Sequence, residues 1–151
     1  MNIRQNSAGL CVLGLALLGA ACGGPQSRVS KGKVESVINQ VPNQGSYLEA
    51  IGIGGADPAL GTDTQRKALS RDAAIVKAQY EMLSMVKGVE LSGGITVARA
   101  LETDSTLEAR VKDVIKGAEI TKTEYTADNG CVVTIRLPKK RIEQMMGVKF
   151  K

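Results

Sequence analysis

The stretch between Thr62 and Gly88 leaves this chain the least freedom, because it reads as one long helix, and such a helix must lie on something. Thr62 and Gln65 have the spacing of a capping box, and Asp63 sits at the positive helix end. Leu69, Ala73, Val76, Tyr80 and Leu83 recur at helical spacing and are expected to face the core, widened by Ile75, Met82 and Val86. Arg66, Lys67, Arg71, Lys77 and Glu81 take the other side. Lys87 suits the negative end, and Gly88 is expected to adopt the left-handed conformation just past it.

Strands are expected on both sides of this helix. Residues 47–55 read as a strand running into a turn, and Asp57-Pro58 and Gly61 continue the loop. Residues 89–101 read as a strand interrupted by a bulge or bend at Gly93-Gly94. Residues 106–116 carry a helical stripe of Leu107, Val111, Val114 and Ile115 behind a second capping box, Ser105 and Glu108. The alternation Leu107, Ala109, Val111 also permits a strand. Residues 85–92 match residues 114–121 in character at every place, so the grammar of helix end, glycine, strand start occurs twice and favours helix.

Residues 118–127 and 131–137 flank Asp128-Asn129-Gly130, the signature of a hairpin. A two-residue turn would put Glu124 opposite Ile135 and on the core face. A three-residue loop with Gly130 left-handed pairs Tyr125 with Val133 and keeps Glu124 and Lys122 off that face, so this register is expected. Cys131 is then in phase with Val133 and Ile135 as a buried thiol. Pro138 opens a last helix with Ile142, Met145 and Met146 facing inward. Val34, Val37, Ile38 and Val41 predict a short helix before Pro42.

The N-terminus has a different logic. Arg4 precedes an uncharged apolar run at residues 10–18, and Gly19-Ala20-Ala21 places small residues before Cys22. The run is too short to span a bilayer, which takes about 20 residues, and reads as a cleavable export signal at residues 1–21. The segment Leu17-Leu18-Gly19-Ala20-Ala21-Cys22 resembles the lipobox of bacterial lipoproteins, with Gly19 where an aliphatic residue is usual. That resemblance implies lipidation of Cys22, and Gly23 after it implies sorting to the outer membrane. Residues 22–46 are expected as tether and entry segment, and residues 47–151 as the folded domain. The simpler alternative is an ordinary signal peptide with Cys22 unmodified. Removing residues 1–21 leaves 130 of 151 residues and takes away Cys11. With Cys22 acylated, Cys131 alone remains, so stability must come from packing and not from disulfides.

Composition excludes several functions. The net charge of +5 is mild, and the aromatics Tyr47, Tyr80, Tyr125 and Phe150 are too few for a nucleic-acid stacking groove. The chain has no His, which removes Ser-His-Asp and Cys-His catalysis and the commonest metal ligand. Gly52-Ile53-Gly54-Gly55 lacks the spacing and the Gly-Lys-Ser/Thr of a phosphate loop. Ser84-Met85-Val86-Lys87 has the Ser-x-x-Lys spacing without its partner motifs. Asp57, Asp63, Glu102 and Asp104 are explained by caps and solvation, and Lys139-Lys140-Arg141 by a solvated helix start. No catalytic, cofactor-binding or metal-ligating set emerges.

The order of features resembles a known group: Cys22, then Ile51-Gly52-Ile53-Gly54, then an Ala-rich helix with Ala68, Ala73, Ala74 and Ala78. Gly88-Val89-Glu90-Leu91, Gly117-Ala118-Glu119-Ile120 and the Asp128-Asn129-Gly130 hairpin with Val132-Val133-Thr134-Ile135 follow. Across about residues 47–146 this resembles the LPP-twenty lipoproteins, the twenty-kilodalton Helicobacter-type family. It is also similar to the N-terminal domain of flagellar assembly protein T. The resemblance implies a lipid-anchored α/β domain without enzymatic activity and transfers no binding residue except Cys22. The expected fold is α+β: a small, mostly antiparallel sheet of three to four strands, with one long helix, a second helix and a short C-terminal helix packed on one face. The expected role is that of a non-enzymatic outer-membrane lipoprotein whose domain binds or scaffolds an envelope protein or cell-wall partner, held to the membrane through acyl chains on Cys22. The alternative is a soluble periplasmic or secreted ligand-binding domain with Cys22 unmodified.

Overall fold

The computed structural model describes residues 26–35, 45–91, 93–147 and 149–150. The long helix, α1, spans Asp63–Lys87. Thr62 is extended, and its hydroxyl accepts from the Gln65 N–H at 3.2 Å, satisfying one orphan donor of the first turn. The Gly88 N–H closes the other end on the Ser84 and Met85 carbonyls. Gly88 is nevertheless not left-handed: its φ of −78° continues the helix. The left-handed cap lies elsewhere, at Gly147 with φ 68°.

Helix α1 lies on an antiparallel sheet of β3 (Tyr47–Gly54), β4 (Glu119–Tyr125) and β5 (Cys131–Pro138), in the order β3-β5-β4. Strand β5 is central, and Cys131 to Ile135 are buried on both of its faces. Alternation turns Leu48, Ala50, Gly52 and Gly54 toward α1. A Cβ on Gly52 would lie 2.0 Å from the Ala74 carbonyl oxygen and 2.3 Å from the Ala78 nitrogen. One on Gly54 would lie 2.0 Å from the Ser70 carbonyl oxygen. The helix backbone therefore rests directly on the strand.

This contact overturns part of the expected core face of α1, although Met82 and Val86, expected to widen it, are buried, and Ile75 and Leu83 pack against the core. Its buried face is Ser70, Ala74, Ala78, Met82 and Val86. Leu69, Val76 and Tyr80, expected in the core, are exposed. Bulky residues cannot enter where two glycines meet a helix backbone, so small residues take that face and dispersion is gained from close backbone contact. The Ser70 hydroxyl is satisfied there by donating to the Asn129 carbonyl at 2.7 Å.

Past α1 the structure departs from the expected strand at 89–101. Glu90 with Thr96 and Leu91 with Phe150 form isolated bridges in place of a ladder. Gly93 and Gly94, at φ 127° and 78°, turn the chain, and α2 (Val97–Thr103) follows. Thr96 caps it by accepting from the Arg99 N–H at 3.4 Å, and Val97 and Leu101, one turn apart, enter the core. Helix α3 (Ser105–Lys116) resolves the ambiguity of that segment. Its cap is Asp104 and not Ser105, with one carboxylate oxygen accepting from Thr106 and Leu107 at 2.9 and 3.1 Å. Val111 and Ile115 are buried beneath it. Helix α4 (Lys139–Met146) follows Pro138 and buries Ile142, with Met145 and Met146 packed against the same core.

The β4–β5 hairpin is two residues out of the expected register. Tyr125 pairs with Cys131, and Thr123 with Val133. The loop spans residues 126–130, closed by Thr126 N–H donating to the Gly130 carbonyl at 2.9 Å. Asn129, at φ 65°, takes the left-handed position expected of Gly130. Its side-chain amide donates to Asp63 at 3.0 Å, tying the turn to the start of α1. A shift of two preserves the faces, so Glu124 and Lys122 still point away from α1.

The entry segment is more ordered than a tether. Strands β1 (Val29–Ser30) and β2 (Lys33–Val34) form a hairpin around Lys31 and Gly32, both with positive φ. That turn suits the right-handed twist of the strands it joins. Val34, expected to begin a helix, is thus in a strand. Val37, Ile38 and Val41 lie outside the described residues. The architecture is α+β, with three strands in the main sheet and, among the described residues, four helices.

Candidate functional site

The hairpin is seated on the sheet face opposite α1, and Glu124 holds it there. The Arg28 N–H donates to one Glu124 oxygen at 2.8 Å, and the Ser27 hydroxyl donates to the other. Lys122 lies 3.7 Å from the same carboxylate. Arg28 is itself buried, and its guanidinium lies 3.9 Å from Glu35. At the tip, the Ala127 N–H donates to the Gly32 carbonyl at 2.8 Å, and a Cβ on Gly32 would come within 2.9 Å of the Ala127 methyl.

Burial pushes the Glu124 carboxyl up. Ser27, the Arg28 N–H, Lys122 and the Val29 N–H together outweigh that and hold it below the usual carboxylate range. A depressed carboxylate stabilises the seated state above its unfolded value, near 4.3, and loses that contribution as pH falls through its folded value. Amide exchange across residues 28–35 is therefore expected to accelerate relative to the core below about pH 4, where ordinary glutamates protonate. Glu124→Gln should show faster exchange at neutral pH and a flattened pH response. Equal protection in both proteins at pH 6 would contradict this seat.

Beside the hairpin is a cleft of about 430 Å³. Its walls are Lys33 and Val34 of β2, Ile53 and Gly55 at the end of β3, and Thr126 and Asp128 of the hairpin loop. Thr126 donates to Asp128 at 2.5 Å, which, with the loop's own N–H groups, holds the Asp128 carboxyl below its ordinary range. Cys131 borders the cleft but is fully buried, and burial pushes its thiol up. It should resist alkylation at pH 8 in the native protein and react at least 100-fold faster in denaturant. Equal rates with iodoacetamide in the two states would contradict the packing.

The other sequence features separate in space. Cys22 lies outside the described residues. Gly52 and Gly54 serve helix packing. Lys87 ends α1, and Ser84, one turn earlier, is exposed. Asp57 accepts from the Ala59 N–H at 2.9 Å, Asp63 lies 3.4 Å from Arg66, and Asp104 caps α3. Glu102 is exposed on α2. Of the basic run, Arg141 donates to the Gly117 carbonyl at 3.1 Å. Among the described residues no group of three or more His, Cys, Asp or Glu could hold a metal, and no helix is long and apolar enough to cross a membrane. The role of Glu124 left no trace in local sequence beyond its position off the helix face, because its partners are 96 and 97 residues away.

The chain matches no family model, no curated protein and no solved structure.

Proposed function

We propose that the protein is a non-enzymatic outer-membrane lipoprotein, anchored by acyl chains on Cys22 after removal of residues 1–21, whose α+β domain binds or scaffolds an envelope partner. One observation carries the reading: an uncharged apolar run and three small residues lead directly to Cys22. The lipobox-like segment and the resemblance to LPP-twenty lipoproteins support it, and Gly23 after the cysteine favours the outer membrane. The seated hairpin adds a spatial consequence. Cys22 and Ser27 are five residues apart, a separation that spans at most about 18 Å, so a lipidated Cys22 holds the domain close to the bilayer surface. Three acyl chains exceed the two signals that stable anchoring needs.

Intact-mass measurement of the membrane-isolated protein tests this. The expected mass is that of residues 22–151 plus a diacylglyceryl and an N-acyl group, and Cys22→Ser should lose both. A mature chain of residues 22–151 without acyl mass would overturn the proposal. It would favour the soluble periplasmic or secreted ligand-binding reading, to which Gly19 at the usual aliphatic position already lends some support.

A further inference from the structure

The exposed face of α1 has an order that scattered surface hydrophobics lack. Leu69, Ala73, Val76, Tyr80 and Leu83 follow one another at alternating steps of four and three residues, the spacing of a coiled-coil seam. At 3.6 residues per turn this line lies about 180° around the helix from Ser70, Ala74, Ala78 and Met82. Leu69, Val76 and Tyr80 are 49%, 65% and 64% exposed. At its C-terminal end the seam meets a groove of about 170 Å³ bordered by Tyr80, Leu83 and Ile115. Leu83, at the C-terminal end, packs partly against the chain's own core, whereas sheet packing does not require Leu69, Val76 and Tyr80, since α1 already buries its opposite face.

We propose that this seam is an interface between two copies of the chain, with α1 pairing in parallel with α1 of the second copy. A seam at 3.5-residue spacing fits another helix that carries the same spacing, and the chain's own α1 supplies it. Leu69, Val76 and Leu83 then occupy one set of layers, and Ala73 and Tyr80 the alternate set. The charged flanks decide the direction. Asp72 lies on one side of the seam and Lys77 on the other, five residues apart, the separation that brings opposite charges together across a parallel pair. An antiparallel pair would instead set the Lys77 flank against its own copy. Within one chain Lys77 already contacts Glu81 at 2.8 Å and lies over the Tyr80 ring at 5.1 Å, so its head group is held beside the seam.

A two-fold axis along α1 puts both copies' Ser27 at one height, so two chains anchored as proposed above reach the same bilayer. The seam is short, running only from Leu69 to Leu83. The pair is therefore weak in dilute solution and favoured where copies are concentrated. Only this concentrating effect rests on the lipoprotein reading; the geometry of the pair does not.

Cysteine cross-linking of the full-length chain in whole cells tests the pairing. Ala73→Cys and Tyr80→Cys, oxidised with copper phenanthroline, should each give at least tenfold more disulfide dimer than Ala68→Cys, an exposed α1 position about a quarter turn away. The unsubstituted chain, which shares Cys22 and Cys131, sets the background, so failure of lipid attachment at Cys22 does not alter the comparison. Adding Val76→Asp to Ala73→Cys should cut the dimer at least tenfold while the circular dichroism spectrum and unfolding midpoint stay unchanged. Dimer yields from Ala73→Cys and Tyr80→Cys no higher than from Ala68→Cys would overturn the proposal. So would an unchanged yield with Val76→Asp, including the case in which that substitution instead releases the protein from phosphatidylglycerol vesicles.

Discussion

Gly52→Ala should be the most damaging single methyl in this protein. The added carbon would sit 2.0 Å from the Ala74 carbonyl oxygen and 2.3 Å from the Ala78 nitrogen, and both are backbone atoms of α1. A flexible side chain could swing away, but a 25-residue helix seated on the strand cannot move without opening the core. Ordinary overpacking costs about 1–3 kcal/mol, and a clash with fixed backbone belongs at or above the top of that range. For a domain of this size about 3 kcal/mol lowers the melting temperature by roughly 10 °C or more. Gly55→Ala is the matched control. No atom lies within 4 Å of its added carbon, so it should fall within about 0.5 kcal/mol of the parent. Urea unfolding of the two variants side by side reads the difference. A Gly52→Ala midpoint equal to that of Gly55→Ala would show that the helix does not sit where described.

The second large effect is expected at Arg136. Glu49 and Arg136 are directly opposed in the β3–β5 register, and a guanidinium nitrogen lies 3.0 Å from the Glu49 carboxylate. Glu49 is buried, and the Tyr47 ring lies 5.3 Å from the guanidinium carbon. Arg136→Ala removes the partner and leaves a buried carboxylate to be desolvated alone. Truncating one member of a fully buried pair costs about 3–5 kcal/mol. Arg136 is partly exposed, so water recovers some of this, and about 2–3 kcal/mol is expected. Glu49→Gln keeps a hydrogen-bond acceptor, and the cation it leaves unpaired, Arg136, is partly exposed to water, so it should cost about 1 kcal/mol. The order of the two variants is the informative result. If Glu49→Gln proved the more damaging, the carboxylate would have a role beyond pairing with Arg136.

Much of the fold is legible in local sequence. Thr62 and Gln65 mark the start of α1, and the region before Gly117 reads as a helix because residues 114–121 repeat the helix end, glycine and strand start of residues 85–92. Strand β5 announces itself through the β-branched run Val132-Val133-Thr134-Ile135. The misplaced face of α1 has a clear cause. Hydrophobic periodicity assumes that the bulkiest stripe faces inward, and Gly52 and Gly54 override that where they meet α1, admitting only Ser70, Ala74 and Ala78. Residues 89–101 fail for a different reason: their apolar residues do face the core, but Thr96 is a cap and Val97 and Leu101 mark a helical turn, not a strand. Parity of the last hairpin survived a register error of two because alternation depends only on odd and even. The seat of the entry hairpin was out of reach altogether, because Glu124 finds Ser27 and Arg28 across most of the chain.

The strand order has a consequence for how the protein acquires its shape. Strand β5 lies between β3 and β4, yet it follows both in the chain. Until residues 131–138 arrive, the two outer strands have nothing to pair with, and α1 has only half its platform. A chain threaded from its N-terminus thus stays pliable through most of its passage, and its non-local pairings form late and together. If the chain is exported as proposed above, this delay keeps it from compacting before it has crossed the membrane.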